Sequence, residues 1–253
     1  MVTDLQKANL WKRISAGLFD FILLAMLAVG MAALLSWVLG YNTHNDNLQA
    51  AYSRYEAKYG VEFQITQDAF DAMTPEQQAT YDTAYAALID DPEVIYLYNI
   101  VVNMTLLITT FAILLSMLLL EFTVPLLLKN GQTLGKKIFG VALMRKDGIK
   151  ITGVQLFIRT VLGKFTVETM IPLYVLMMIF FNSIGIIALA ILVAIAVGEV
   201  MSLIVSRTNG LIHDSIAGTV AVDMASQMIF DGVEDQIEYT KRLHAEQAAR
   251  QEY

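Results

Sequence analysis

The amino-acid sequence predicts an all-α membrane protein with four transmembrane helices, both termini in the cytoplasm, a helical extracytoplasmic insert and a small cytoplasmic β-hairpin. Of its 253 residues, 56 % are hydrophobic and only 16 % are charged, a balance far from that of soluble domains. The apolar residues form runs long enough to cross a bilayer. Basic residues collect at one end of these runs, as they do on the cytoplasmic side of membrane proteins.

Residues 1–40 comprise a short cytoplasmic lead (1–12), which could form an interfacial helix, and the first transmembrane helix (14–39). This apolar run is too long for a signal peptide, so we expect it to span the membrane. Arg13 lies at its entrance and Asp20 lies inside it, two helical turns apart on one face. Because helical side chains lean toward the N-terminus, the two groups need a third partner. The alternative is an interfacial anchor and one satisfied buried acid.

Residues 41–94 form an acidic insert with ten acids and two bases, for which we expect an extracytoplasmic location. Helical spacing over 47–59 ends at Gly60. Residues 61–65 alternate and could form a short extended piece. Thr74, followed by proline and then by glutamine at the third helical position, predicts a second helix start. The tyrosines of the insert fit a core better than a binding surface.

The second transmembrane helix is predicted at 95–128 and carries Glu121 near its far end. It leads into a basic cytoplasmic segment, 129–164, with eight lysines and arginines and one acid. In this segment, 137–144 and 149–151 are predicted to pair as a hairpin around a Lys-Asp-Gly turn. Residues 154–164 are amphipathic and are predicted to lie in the membrane interface.

The apolar stretch 165–206 is too long for one span and predicts two transmembrane helices, at 165–181 and 186–206, joined by a turn at 182–185. The alternative is a three-span topology with a re-entrant segment. Four spans place all basic segments on one side, so we prefer four. Residues 207–253 carry a cytoplasmic motif and a polar tail that is predicted to be helical.

Four acids fall within the predicted spans: Asp20, Glu121, Glu168 and Glu199. Counted from the basic ends of the spans, each lies roughly 6–12 Å into the cytoplasmic half of the bilayer. Ionisable groups at such depth usually face protein or water and mark function. Four of them at one depth predict a polar cavity open to the cytoplasm. The alternative is a structural cluster that locks the helices together.

The sequence offers no catalytic constellation. It contains no cysteine, which excludes disulfides and thiolate chemistry. The segment Gly131–Lys137 has the wrong glycine spacing for a phosphate-binding P-loop. His213 and Asp214 lack further metal ligands nearby, and with Ser215 they are adjacent in sequence and cannot form a relay. We therefore expect no catalytic residues, no metal site, no cofactor and no enzymatic activity.

Three separated motifs, within 13–24, 121–165 and 199–222, together resemble the RDD family of bacterial multi-pass membrane proteins, which is named for one arginine and two aspartates. The name-giving residues match Arg13, Asp20 and Asp214. The matching residues are Arg13, Asp20, Gly131, Thr133, Gly135, Lys136, Gly140, Arg159, His213, Asp214, Gly218 and Thr219. The insert and the tail lie outside this resemblance.

The resemblance implies a plasma-membrane protein suspected of transport, since some members look like cation/proton antiporters and others look like partners of membrane proteases. Two functions follow. The first is cation- or proton-coupled transport, with the buried acids as carriers and Arg13 as a counter-charge. The second is a non-enzymatic partner or regulator of another membrane or envelope protein, acting through the acidic insert. We expect contact with the bilayer and with anionic headgroups on the cytoplasmic side, and a homo-oligomer or a membrane-protein partner. We expect no nucleic acid.

Overall fold

A computed structural model describes residues 5–128, 130–180, 185–206 and 208–251. The helices are α1 (Leu10–Val38), α2 (Tyr41–Tyr59), α3 (Gln67–Asp71), α4 (Pro75–Ile89), α5 (Pro92–Leu128), α6 (Leu134–Ile138), α7 (Gly153–Ile179), α8 (Gly185–Val205), α9 (Ile212–Ala217) and α10 (Val233–Gln251), and the strands are β1 (Val141–Arg145) and β2 (Thr219–Asp223). The chain divides into two compact units, one formed by residues 1–28 with 113–253 and the other by residues 29–112.

Four helices within the described residues, α1, α5, α7 and α8, are long and apolar enough to cross a membrane. This confirms the prediction of four helices that could span a membrane. The predicted turn at 182–185 and the bases Lys129 and Arg207 lie wholly or mainly outside the described residues. The tail is helical, as predicted, because α10 covers most of it.

The prediction of a separate interfacial helix at 154–164 is wrong, because α7 runs through this segment without a break into the third span. Thr152 does cap the helix, since its hydroxyl accepts the N–H of Gln155 at 3.2 Å. No proline interrupts the helix before Pro172, so nothing in the backbone stops it at the membrane surface. Arg159, which the sequence places in this amphipathic segment, is 2 % exposed.

Two spanning helices contain wider π-helical segments, at Leu118–Thr123 in α5 and at Ile158–Met170 in α7, and each segment ends two residues before a proline. Pro125 has no N–H to offer the carbonyl of Glu121, four residues earlier. That carbonyl instead accepts the hydroxyl of Thr160 at 3.0 Å. π-helical segments often accompany functional sites, and this one joins α5 to α7 beside Glu121.

The sheet is two-stranded and antiparallel, but its second strand is not the predicted one. β1 pairs with β2, with Val141 opposite Asp223 and Arg145 opposite Thr219. Residues 149–151 make only isolated bridges, from Lys150 to Met144 and from Ile149 to Phe230. Residues 137–138 belong to α6. Both strands carry four consecutive buried residues, because both faces of this small sheet are covered.

The described residues of the N-terminal lead before Leu10 are not helical, contrary to the expectation of an interfacial helix. In its described part it runs along β2, where Lys7 bridges Val222 and the N–H of Ala8 donates to the carbonyl of Ala221 at 3.3 Å. Ala8 packs on the β1–β2 face with Val141. The lead is therefore a third element of the sheet region, and it fixes where α1 starts.

The unit of residues 29–112 holds the acidic insert, which is helical as predicted. Its core is formed by Leu48, Ala51, Leu88, Val94 and Val101. Helix α2 ends at Gly60 with a φ of 66°, and α4 begins with a complete capping box at Thr74. The expected extended piece at 61–65 is a loop instead.

Candidate functional site

Ten charged or titratable side chains of the first unit form one connected group, which we call the ion-pair cluster. Its members are Arg13 and Asp20 of α1, Glu121 of α5, Lys136 of α6, Arg159, Lys164 and Glu168 of α7, Glu199 of α8, and His213 and Asp214 of α9. Buried charges are tolerated only when they are paired and hydrogen-bonded. The pairing of each member therefore decides what it can do.

Asp20 is held by the turn that opens α6. One carboxylate oxygen accepts the hydroxyl of Thr133, and the other accepts the backbone N–H of Gly135 at 2.8 Å. The Lys136 ammonium lies 3.9 Å away. A side chain at Gly135 would come within 2.3 Å of the Ala16 carbonyl, so only glycine lets the α6 turn approach α1 this closely. Asp20 thus has fixed partners, and Arg13 is not among them.

Glu121 is 5 % exposed and sits against two cations of α7. The Lys164 ammonium lies 2.7 Å from its Oε2, and Nη1 of Arg159 lies 3.9 Å from the same atom. These contacts connect α5 to α7 through opposite charges in a site shielded from solvent. Glu121 is therefore neutralised in place, as Asp20 is.

Asp214 is the central anion of the cluster. Its Oδ1 accepts Nε of Arg159 at 2.9 Å and the hydroxyl of Thr219 at 3.1 Å, and Arg13 lies 3.8 Å from its Oδ2. Burial alone would raise the pKa of Asp214, but the charge and the hydrogen bond of Arg159, together with the charge of Arg13, hold that pKa well below its ordinary value. Asp214 is therefore a permanent carboxylate. Arg13 also donates to the backbone carbonyl of Asn209 at 2.5 Å.

His213 lies between Arg159 and Glu168. Nη2 of Arg159 lies 2.7 Å from Nε2 of the ring, and Nδ1 lies 2.7 Å from Oε1 of Glu168. Because a guanidinium can only donate, Nε2 accepts and the ring proton sits on Nδ1, facing Glu168. Burial, reinforced by the charge of Arg159, lowers the pKa of His213. The imidazole is therefore neutral and serves as a fixed donor to Glu168.

Glu168 and Glu199 come from different spanning helices and their carboxyl groups adjoin. Both also meet the N-terminus of α9, where Glu168 accepts the N–H of His213 at 2.9 Å and Glu199 accepts the N–H of Ile212 at 3.2 Å. Two adjoining carboxyl groups repel each other when both are charged, so the pair favours one shared proton. Gly163 permits the approach of α7 to α9, because a Cβ there would meet Cβ of His213 at 2.5 Å.

The surroundings of Lys136 disfavour its charged form. Burial lowers the pKa of Lys136 to about 8, and Lys164 and Arg159 add to the lowering while Glu121 and Asp20 oppose it. Its ammonium contacts the Thr133 hydroxyl at 3.2 Å. Three cations therefore crowd one side of the cluster.

A cavity of 360 Å³ lies on that side of the cluster. It is lined by Leu10, Arg13, Ile14, Ala16, Gly17, Lys136, Val141, Arg159, Lys164, Leu203, Leu211, His213, Asp214 and Ala221. The lining includes all four cations of the cluster, but Asp20, Glu121, Glu168 and Glu199 are not part of it. The sequence predicts a polar cavity formed by these four acids with bases at its rim, whereas this cavity is lined by the bases and by Asp214.

The remaining motif residues shape the turns around the cluster. Gly131, Gly140 and Gly218 have φ values of 62°, 66° and 67°, a region that glycine enters without strain. Thr133 caps α6 by accepting the N–H of Lys136 at 3.3 Å.

Sequence reasoning did not select Lys164, Thr160 or Asn209 as site residues. Lys164 looked like a surface base at the end of the basic segment, and Thr160 carried no signal. Asn209 had one available signal, since an Asn-Gly pair marks a turn. Its φ is 50°, and its carbonyl holds Arg13.

Comparison with protein-family models finds a match to the RDD family over residues 7–218. That stretch contains the whole ion-pair cluster and leaves out residues 1–6 and 219–253, which include β2 and α10. No curated protein matches the chain. No solved structure matches it either.

Proposed function

Because the chain belongs to the RDD family, we propose that it is a proton-coupled membrane transport protein in which Glu168 and Glu199 carry the proton. The observation that supports this most is that these two carboxyl groups, from α7 and α8, adjoin each other beside the neutral ring of His213. The two carboxyl groups can hold one proton between them, and exchange of that proton changes the charge of the pair by one.

The contacts of the other two acids in the spans, Asp20 and Glu121, argue against a role as proton carriers. Asp20 is held by Thr133 and Gly135, and Glu121 is held by Lys164. Each also has a cationic neighbour, Lys136 for Asp20 and Lys164 for Glu121, whereas Glu168 and Glu199 contact N–H groups and each other. A carboxylate beside a fixed cation gains little from binding a further cation. Among the sequence-predicted carriers, the proposal therefore keeps Glu168 and Glu199 and assigns Asp20 and Glu121 to holding the helices together.

The geometry favours a proton over a metal cation as the coupling ion. Within the described residues, no group of three or more His, Asp or Glu side chains could hold a metal ion. The cavity beside the pair is lined by four bases, which repel metal cations. A proton can still reach the carboxyl pair through water or through neighbouring side chains.

The proposal places the cluster and both termini on the cytoplasmic side of a bacterial plasma membrane, since the basic segments flank this end of the spans. Residues 41–94 are then extracytoplasmic. We also propose that the protein forms a homo-oligomer, because four spans offer little room for a transport pathway. The proposed function involves no enzymatic step. Anionic headgroups would meet the exposed bases Lys137 and Lys146 of the basic segment.

The test is proton movement in sealed vesicles that contain the purified full-length protein and an internal pH-sensitive dye. Sodium, potassium and phosphate gradients are applied in turn. We expect flux with wild type and loss of flux in Glu199→Gln, whose amide oxygen can still accept the N–H of Ile212. Glu238→Gln, at an exposed acid of α10, is the matched control and should keep full flux. Absence of flux in wild type, or equal flux in Glu199→Gln, would refute the proposal.

A second candidate is a non-enzymatic partner role through the acidic insert. It is favoured by the insert's own core around Leu48 and Leu88 and by its net negative charge. This candidate predicts that deleting residues 44–92 abolishes recovery of a cross-linked membrane protein while leaving proton flux and the spanning helices intact. Unchanged recovery after the deletion would exclude it.

A further inference from the structure

The lining of the cavity of 360 Å³ combines two kinds of side chain. It includes the bases Arg13, Lys136, Arg159 and Lys164, and apolar side chains of α1 and α8 such as Ile14 and Leu203. Among its described lining residues Asp214 is the one acid, and it is already engaged by Arg159 at 2.9 Å. The cavity therefore presents cations and hydrocarbon, a combination that neither a cation nor a neutral polar solute would satisfy.

One side chain of the cavity lining has a donor without a partner. Arg159 is 2 % exposed, and within the described residues its Nη1 is buried without a hydrogen bond. Oε2 of Glu121 lies 3.9 Å from that atom, beyond hydrogen-bond length. A buried guanidinium donor without an acceptor is costly, so a ligand oxygen that the guanidinium can reach would offset that cost.

We infer that this cavity binds an anionic phosphate or carboxylate group, held by Arg13, Lys136, Arg159 and Lys164. Guanidinium groups bind these oxyanions through paired, charge-assisted hydrogen bonds, and ammonium groups add point charges. The bound group also relieves the crowding of cations around Lys136. The inference rests on the lining of the cavity and stands independently of proton movement.

The apolar part of the lining indicates which anions fit best. A second cavity of 480 Å³ shares Leu10, Arg13 and Leu203 with the first and is also lined by Ile204. Leu10 is 50 % exposed and Ile204 is 70 % exposed, and both lie on spanning helices whose exposed faces are apolar. An anion with an alkyl chain can place its head among the bases and its chain along these side chains. Free phosphate would use only the bases.

The test is binding to the full-length protein in uncharged maltoside micelles, measured by titration calorimetry. The probes are inorganic phosphate, dodecyl phosphate and, as the oppositely charged control, dodecyltrimethylammonium. We expect dodecyl phosphate to bind and the ammonium compound not to bind. Equal affinity for both phosphates identifies a free anion as the ligand, and preference for dodecyl phosphate identifies an anionic lipid.

Two matched pairs of variants test the location. Gly17 lines the cavity, and a Cβ there meets nothing within 4 Å, so Gly17→Leu should fill the cavity without displacing protein atoms. Gly30→Leu, at an equally open position of the same helix, is its control. Arg13→Gln removes one cation, and Lys12→Gln removes its neighbour, which pairs with Asp223 outside the cavity.

We expect Gly17→Leu and Arg13→Gln each to weaken dodecyl phosphate binding by about tenfold or more, the size of one charge-assisted hydrogen bond. Both controls should bind within about twofold of wild type, and Arg13→Lys should recover most of the loss from Arg13→Gln. Thermal unfolding midpoints confirm that each variant is folded. No binding of either phosphate to wild type, or full binding to folded Gly17→Leu, would overturn the inference.

Discussion

Replacing Arg159 with methionine removes the central cation of the ion-pair cluster. Nε of Arg159 lies 2.9 Å from Oδ1 of Asp214, and the two side chains are 3 % and 2 % exposed. Breaking a buried pair by removing one partner costs about 3–5 kcal/mol, because the remaining charge keeps its desolvation penalty. Glu121 also loses a neighbouring charge. We expect the free energy of unfolding of Arg159→Met to fall by about 3–5 kcal/mol.

The assay is a double-mutant cycle with Asp214→Asn, in which unfolding in mixed micelles is induced with sodium dodecyl sulfate and followed by circular dichroism. If the two residues stabilise the fold as a pair, the double variant loses less than the sum of the singles, with a coupling energy of about 1.5–3 kcal/mol. The exposed pair Lys12–Asp223 is the control. A cycle of Lys12→Met with Asp223→Asn should give about 1 kcal/mol or less. Equal losses in Arg159→Met and Lys12→Met would refute the reasoning.

Three further predictions concern single positions. Gly163→Ala should lower the thermal unfolding midpoint, because its Cβ would lie 2.5 Å from Cβ of His213, whereas Gly30→Ala should not. In wild type the free energy of unfolding should rise with pH, and Lys136→Met should abolish that rise. Lys136 releases its proton at a pKa of about 8 when folded and of 10.5 when unfolded, so the unfolded state binds more protons between these values and stability there increases by up to about 3 kcal/mol. Thr74→Ala should speed amide hydrogen exchange at the start of α4, through loss of an N-cap that is worth about 1 kcal/mol.

Each of these predictions has a clear contrary result. An unchanged midpoint in Gly163→Ala would mean that α7 and α9 can separate freely. A wild-type stability that falls between pH 8 and 10.5, or a rise retained in Lys136→Met, would place the titrating group elsewhere. Unchanged exchange in Thr74→Ala would show that the capping box does not limit opening of α4.

Local chemistry made most helices predictable. The four spans follow from hydropathy and length, and the starts at Thr74 and Thr152 follow from cap residues. The end of α2 follows from Gly60, whose φ is 66°. These features depend on neighbours within one or two helical turns, which a sequence displays directly.

The sheet was not predictable in the same way. The nearby residues 149–151 offered a short hairpin, but β1 instead pairs with β2, which lies beyond two spanning helices. Alternation shows that a segment can form a strand and says nothing about a distant partner. The covering of both sheet faces, including the contact from Ala8, favours the distant pairing.

At the site, the sequence indicated the depth of the acids but not their partners. The sequence presented Lys136 as a motif residue and Lys164 as a base at the membrane interface, and both line a cavity. Which face of a helix turns inward depends on packing against other helices, and glycines such as Gly135 and Gly163 set that packing through close approaches. Only the three-dimensional structure therefore distinguishes Asp20 and Glu121, which have fixed partners, from Glu168 and Glu199, whose carboxyl groups adjoin.

The most direct test of the central claim is an infrared difference spectrum between about pH 5 and about pH 9, a range in which catalytic and carrier protons exchange. If Glu168 and Glu199 share a titrating proton, wild type shows a protonated-carboxyl band that disappears in Glu199→Gln and persists in Asp20→Asn. An unchanged band in Glu199→Gln, or its loss in Asp20→Asn alone, would contradict the account.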